Sequence, residues 1–133
     1  MIVIDTSAVV AFLQGEPEAA AIRREIDRAS TCLISAVNLF ECRIVISRRH
    51  GSHGLFELNS LIAAVDVEIE PFDAEQSMVA FDAYRRFGRG SGHPAQLNLS
   101  DCAAYALARL RDAPLLFKGK DFRATDIRDA LAG

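Results

Sequence analysis

Apolar and polar positions are arranged along this chain in blocks that predict short strands followed by helices. Residues 2–4 are branched and apolar, and Asp5, Thr6 and Ser7 separate them from a second apolar run. This pattern is typical of a buried strand whose polar end opens a helix. Further short runs typical of strands lie at 31–35, 67–70 and 114–117. We therefore predict an α/β fold with a central, mostly parallel sheet of four or five short strands.

The segments between these runs have the periodicity of helices. The segment from Ala36 to about residue 47 carries apolar side chains around almost its whole circumference, so we expect burial on most of its sides. Residues 51–54 predict a turn, and residues 55–64 a further helix. Asp73 and Gln76 have the spacing of a capping box for a helix that runs to about residue 87. Residues 125–131 give no clear signal for a fifth strand.

Length and composition restrict the class of protein. A chain of 133 residues, half of them hydrophobic, suits a single domain over 1–133. Since no apolar run approaches the length of a membrane span and the N-terminus lacks a secretory signal, we expect a cytoplasmic protein that does not contact a membrane. Cys32, Cys42 and Cys102 are odd in number and widely spaced, so we expect reduced thiols in the core.

Four carboxylates follow a predicted strand or lie near the start of an apolar helix: Asp5, Glu41, Asp101 and Asp121. Three of them also have a simpler explanation, because Asp5 and Asp101 could cap their helices and Glu41 could pair with an arginine. If they converge at one sheet edge, their repulsion requires a multivalent cation, and oxygen ligands suit Mg²⁺ or Mn²⁺. Such ions can activate water for phosphodiester hydrolysis.

The net charge of −3 does not by itself suggest a nucleic-acid-binding protein, because phosphate contacts normally need a basic surface. Cations at the acidic residues would remove that objection, and basic side chains could then hold a polynucleotide around them. The same side chains could equally form an ordinary solvated surface. They are Arg43, Arg48, Arg49, Arg85, Arg86, Arg89, Lys118, Lys120 and Arg123.

Four segments in the same order resemble the motifs of PIN-domain proteins, and among these the VapC toxins of bacterial toxin–antitoxin pairs. The resemblance covers nearly the whole chain. The segments are Ile4-Asp5-Thr6-Ser7-Ala8, the apolar helix with Glu41, Leu97-Asn98-x-x-Asp101-Cys102, and Leu116-Phe117-Lys118-Gly119-x-Asp121-Phe122.

The resemblance implies a three-layer α/β/α sandwich and an endoribonuclease dependent on Mg²⁺ or Mn²⁺, with transfer or ribosomal RNA as substrate. It also implies a homodimer, and a hetero-oligomer in which a VapB-type antitoxin neutralises the toxin. By matching motifs, Asp5, Glu41, Asp101 and Asp121 would form the acidic quartet, with Asp5 and Asp101 as direct metal ligands. Thr6 or Ser7 would orient Asp5, and Asp126 could share the role of Asp121.

Two other functions are compatible with the residues. Asp5 after the first strand and Lys118 after a late one could serve an aspartyl-phosphate phosphoryl-transfer domain, although Ser7 stands where the haloacid-dehalogenase pattern needs a second aspartate. Alternatively, the chain could bind a peptide or RNA without cutting it. Apolar residues that could receive an amphipathic antitoxin helix are Phe12, Leu13, Phe56 and Leu58.

Overall fold

The computed structural model describes residues 1–132, and these form a fully parallel four-stranded sheet in the order β3-β2-β1-β4. The strands are β1 (Ile2–Ile4), β2 (Cys32–Ser35), β3 (Glu68–Glu70) and β4 (Leu115–Leu116). The α-helices are α1 (Thr6–Leu13), α2 (Ala19–Arg28), α3 (Ala36–Val65), α4 (Ala74–Phe87) and α5 (Leu99–Leu110). A 3₁₀ helix, η1 (Asp121–Ala124), follows β4.

The sheet separates two hydrophobic clusters, because successive side chains of a strand point to opposite faces. Val3 packs with Phe87 and Leu107 in a cluster formed with α4 and α5. Ile2 and Ile4 pack on the other face in a cluster formed with α1, α2 and α3. The α/β/α sandwich implied by the resemblance is therefore confirmed.

Helix α3 differs from the prediction in two ways. Two helical segments meet at a kink at Gly51, whose φ of 63° suits glycine, so the predicted break between two helices is present but is confined to Gly51 instead of extending over 51–54. The expectation of burial on most sides of its first half is wrong, since Phe40 is 63% exposed and Ile44 39% exposed. In the described part of the chain, the helices pack against the other side of this segment and leave this face uncovered.

The segment after η1 adds a single bridge to the sheet. The amide of Leu115 donates to the carbonyl of Arg128 at 2.9 Å, and the amide of Ala130 donates to the carbonyl of Leu115 at 2.9 Å. Asp129 is thereby paired with Leu115 in parallel, outside any strand. The sheet thus has four strands among residues 1–132, which lies within the predicted range.

Three further expectations can be compared with the structure. All three cysteines are buried free thiols, as predicted. Asp73 accepts a hydrogen bond from the amide of Gln76 and so caps α4. Across residues 1–132, every helix is too short or too polar to traverse a bilayer.

Candidate active site

Asp5 lies at the carboxyl end of β1 and is only 3% exposed. Its Oδ2 accepts hydrogen bonds from the Ser7 amide at 3.0 Å and the Ser7 hydroxyl at 2.6 Å, which makes Asp5 the N-cap of α1. The Ser7 hydroxyl oxygen in turn accepts a hydrogen bond from the backbone amide of Lys118 at 3.0 Å. This chain of contacts fixes the carboxylate between the ends of β1 and β4.

Burial is the main influence on the charge of Asp5. Desolvation raises its pKa from 3.8 to about 7, against the lowering effect of the two hydrogen bonds from Ser7. The negative charges of Asp101 and Glu41 also contribute to this raised pKa. These influences show that the three carboxylates are close enough to interact, even though they come from three different elements.

Asp101 lies in the first turn of α5 and forms a reciprocal capping box with Asn98. The Asn98 amide donates to Asp101 Oδ2 at 3.0 Å, and the Asp101 amide donates to Asn98 Oδ1 at 2.9 Å. Desolvation raises the pKa of Asp101 to about 6; the bond from Asn98 lowers it, and the charges of Asp121 and Glu41 raise it. Asp101 is therefore both a capping residue and a member of the acidic group.

Glu41 is half-buried on α3 and faces the start of α5. The Ser100 hydroxyl lies 2.8 Å from Glu41 Oε2 and 3.0 Å from Asn98 Oδ1, and its single proton can serve one of them at a time. Among residues 1–132 no ion pair includes Glu41, so the alternative of an arginine partner is wrong. Asp5 and Asp101 also form no ion pair among these residues.

These three carboxylates line one open cavity of about 340 Å³ between α1, α3 and α5. Asp121 lies at its margin: it is exposed at the start of η1, yet its charge still acts on Asp101. The structure therefore brings three of the four predicted acids together and leaves the fourth beside them. Other residues that line the cavity are Thr6, Ser7, Val10, Gln14, Glu16, Val45, Arg49 and Lys118.

Asp126 contacts residues outside this cavity. Its Oδ1 accepts a hydrogen bond from the Tyr105 hydroxyl at 2.6 Å, and its Oδ2 lies 3.4 Å from Arg86 Nη2 and 3.9 Å from Arg109 Nη1. Burial alone would raise the pKa of Asp126, but these partners outweigh it and hold the pKa below its usual value. Asp126 is thus paired with basic neighbours, unlike Asp5, Glu41 and Asp101.

Of the nine candidate basic residues, two line the cavity, Arg49 and Lys118. Arg49 donates to Gln14 at 3.2 Å, and Lys118 Nζ pairs with Glu16 and Glu18 at the cavity mouth. Arg89 is near enough for its charge to lower the pKa of Asp101.

Comparison with known proteins identifies the family. The model of the PIN domain family matches residues 2–128. This chain belongs to the PIN-domain family. Ribonuclease VapC42 of Mycobacterium tuberculosis is 42% identical over 128 residues, which cover 96% of this chain and 98% of that protein. The relationship extends along almost the full length, so the chain is a PIN domain of the VapC kind.

Solved structures share the fold at low sequence identity. The crystal structure of VapC20 from M. tuberculosis, described as a sarcin–ricin loop cleaving toxin, has a TM-score of 0.78, 18% identity and 96% coverage of both chains. VapBC2 from Rickettsia felis, bound to a DNA fragment from its promoter, has a TM-score of 0.74 and 15% identity and covers 97% of this chain and 96% of that one. These likenesses show the PIN fold.

The donor set of this PIN domain suits Mg²⁺ or Mn²⁺ held in an open site. Within residues 1–132, no group of three acidic, histidine or cysteine side chains forms a ready-made metal cage. Mg²⁺ commonly uses only one or two carboxylates and completes its shell with water and phosphate oxygens. Two carboxylates without an ion-pair partner, the buried Asp5 and the half-buried Asp101, fit that requirement.

Sequence reasoning missed two residues of the site, Asn38 and Ser100. Asn38 is fully buried and contacts both the end of β1 and the start of α5. A signal was present, because Asn38 is a polar residue in an apolar helix one turn before Glu41. Its partners could not be found from spacing, since they lie 32 and 62 positions away.

Proposed function

We propose that this PIN domain is the toxin of a type II toxin–antitoxin pair and cleaves RNA with Mg²⁺ or Mn²⁺ bound at Asp5 and Asp101. The observation that carries the proposal is the group of three carboxylates without basic partners in an open cavity. A relative 42% identical over nearly its whole length is named a ribonuclease, which supports the same activity here. We propose a cytoplasmic location, where such a toxin would meet cellular RNA.

The carboxylates supply the metal site, and the surrounding residues hold them. Ser7 fixes Asp5 through two hydrogen bonds, and the Asn98 amide fixes Asp101 through one. A bound Mg²⁺ or Mn²⁺ would lower the pKa of a water molecule and stabilise the leaving oxygen during hydrolysis. Glu41 lies where it can accept a proton from water or bind a second cation.

Two cations at the cavity wall are suited to the RNA backbone. Arg49 and Lys118 both line the cavity that contains the acids. Basic side chains here would contact phosphates and position the strand, without reading its sequence. We propose a folded RNA, either transfer or ribosomal RNA, as substrate, because proteins recognise folded RNA by shape and exposed loops.

The ribonuclease proposal is tested by replacing each metal ligand. Asp5→Asn and Asp101→Asn should each lower the RNA cleavage rate by more than about a hundredfold, since even partners of ligands typically cost about 10- to 100-fold. Asp66→Asn is the matched control: Asp66 ends α3 with a φ of 57°, far from the cavity, and asparagine tolerates that conformation. EDTA should abolish wild-type cleavage, and Mn²⁺ should restore it.

Three results would contradict the proposal. Undiminished cleavage by either variant would remove the metal mechanism. RNA binding without cleavage would favour a non-catalytic module. Labelling of Asp5 by acetyl phosphate would favour phosphoryl transfer.

An apolar groove supports the proposal of a VapB-type antitoxin partner. A cavity of about 510 Å³ between α1, α2 and the second half of α3 is lined by Phe12, Leu13 and Ile26 and extends to Val65. Polar side chains, among them Arg23, Asp27 and Glu57, also line it, and such a mixed surface suits an amphipathic helix. Of the residues expected to receive the antitoxin, Phe12 and Leu13 line this groove, Phe56 is exposed outside it, and Leu58 is wholly buried in the core.

The groove can be tested with two adjacent alanines on α3. We expect a small DNA-binding antitoxin to be encoded directly upstream, and Ala64→Glu should weaken its capture because Ala64 lines the groove. Ala63→Glu, on the neighbouring exposed position outside the groove, is the control. We also propose that the antitoxin inserts an arginine among the carboxylates. Competition between such a peptide and Mn²⁺ would support that step, and independent binding would count against it.

A second apolar groove supports a homodimer. It has a volume of about 540 Å³ and is lined by Phe72, Phe81, Tyr84 and Leu99, all of them exposed. Contiguous exposed apolar surface of this kind is typical of protein interfaces. Phe81→Glu should convert a dimer to a monomer in light scattering, whereas Phe56→Glu, at an equally exposed phenylalanine outside the groove, should not.

A further inference from the structure

Asn38 is a wholly buried amide that bridges three elements of the fold. Its Nδ2 lies 3.1 Å from the carbonyl oxygen of Ser100, 3.2 Å from Thr6 Oγ1 and 3.5 Å from Asp5 Oδ1. The Thr6 hydroxyl donates its own proton to the backbone carbonyl of Asn38 at 3.3 Å, which leaves its oxygen free to accept. The amide therefore links the end of β1 and the start of α5 to α3.

Each partner of Asn38 is next to one of the acids in the chain. Thr6 follows Asp5 directly, Ser100 precedes Asp101 directly, and Asn38 itself lies one turn before Glu41. The distances among the three carboxylates are set by the distances among these three backbone segments. Asn38 is thus placed to fix those distances.

Packing alone does not account for an asparagine here. The position is 0% exposed, and the Asn38 Oδ1 is a buried oxygen with no hydrogen-bond partner in the described part of the chain. A buried acceptor left without a partner is destabilising, and an apolar side chain of similar volume would avoid that cost. What the asparagine adds is the donor pair of Nδ2, directed at the backbone and side chains beside the acids.

We propose that Asn38 is a positioning residue that holds the two proposed metal ligands, Asp5 and Asp101, in place relative to each other and to Glu41. The inference rests on the proposed metal site. Asn38 acts through the residues it contacts and does not itself reach the substrate. Its loss should therefore weaken metal binding while the fold survives.

The test measures Mn²⁺ binding by the metal-free protein, by calorimetry and by electron paramagnetic resonance of the free ion. Asn38→Leu, which keeps the branching and the number of side-chain heavy atoms and removes the donors, should weaken Mn²⁺ binding by about 10- to 100-fold, as for other residues that orient metal ligands. Asn38→Ser has one donor in place of two and should show a smaller loss. Urea unfolding followed by circular dichroism should show that both variants fold.

The matched control is Gln76→Leu. Gln76 is also a buried amide, 2% exposed, whose Oε1 has no partner among the described residues, but it lies at the start of α4. Its replacement should change Mn²⁺ affinity by less than about twofold. A comparable loss in Gln76→Leu would mean that any buried amide has this effect and would overturn the assignment to Asn38.

Failure of this inference is distinguishable from failure of the proposed function. If Asn38→Leu binds Mn²⁺ as wild type does while Asp5→Asn and Asp101→Asn lose binding, the metal site stands and the role of Asn38 is wrong. If Asp5→Asn and Asp101→Asn also bind Mn²⁺ normally, both the metal site and the positioning role are wrong.

Discussion

The buried carboxylate of Asp5 should make the metal-free protein less stable than a variant that cannot ionise at this position. Its pKa is raised from 3.8 to about 7, and a difference of about 3 units corresponds to about 4 kcal/mol at about 1.4 kcal/mol per unit. Because the folded-state pKa lies above the unfolded-state value, the folded protein binds this proton more tightly. The free energy of unfolding therefore falls as the pH rises between these two values and then levels off.

Asp5→Asn removes the charge and should therefore remove this fall in the free energy of unfolding. We expect the metal-free variant to be more stable than wild type by about 2–4 kcal/mol at about pH 8. The lower end of this range applies because the amide oxygen of asparagine can still accept one hydrogen bond from Ser7 but accommodates the second Ser7 donor less well. The difference should shrink as the pH falls from about 7 to about 4, because folded Asp5 takes up its proton near the upper value and unfolded Asp5 near the lower one. Asp101 contributes a pH dependence to both proteins, so the difference between the two curves isolates Asp5.

Urea unfolding followed by circular dichroism, in EDTA and at a series of pH values, measures these free energies. Asp73→Asn is the control, since Asp73 caps α4 in the same manner but is exposed, and its replacement should change stability by less than about 0.5 kcal/mol at every pH. Adding Mn²⁺ should stabilise wild type and leave Asp5→Asn unchanged. An Asp5→Asn protein that is no more stable than wild type at high pH would refute the reasoning.

Three further predictions concern the surroundings of the site. Tyr105→Phe removes the hydrogen bond to Asp126 and should lower the free energy of unfolding by about 1–3 kcal/mol with unchanged Mn²⁺ affinity; a loss of affinity would place Asp126 in the metal site after all. Gly51→Ala should lower the free energy of unfolding in urea by about 1–2 kcal/mol, because the φ of 63° strains a residue with a Cβ. An unchanged free energy of unfolding would mean that the variant adopts ordinary helical geometry at this position. Lys118→Met should raise the KM for RNA and reduce its salt dependence at constant Mn²⁺ affinity, and an unchanged KM would exclude a phosphate contact.

The local features of this chain could be predicted from sequence because they depend on neighbouring residues. The strand that ends in Asp5, the cap of α4 at Asp73 and the capping role of Asp101 at the start of α5 all follow from a few adjacent positions. The placement of Asp5 at the carboxyl edge of the sheet also follows, because it comes directly after a parallel strand. Asp101 begins a helix that follows another helix, so this rule does not predict its position.

Contacts over long sequence separation could not be predicted in this way. Glu41 is hydrogen-bonded to Ser100, 59 positions away, and an arginine partner was equally compatible with its helix. The exposed face of Phe40 and Ile44 has the periodicity of a buried one, because apolar character alone does not distinguish a core from an uncovered surface. The engagement of Asp126 by Tyr105 likewise depends on how α5 packs.

The contact that secures the Ser7 hydroxyl comes from the main chain at position 118, so any residue other than proline can supply it. The side chain at that position, meanwhile, lies at the mouth of the cavity. Charge at the entrance can therefore be exchanged, from cation to neutral or anion, without disturbing the carboxylate beneath. A change in what the cavity mouth attracts and preservation of the Asp5 geometry are therefore compatible at the same residue.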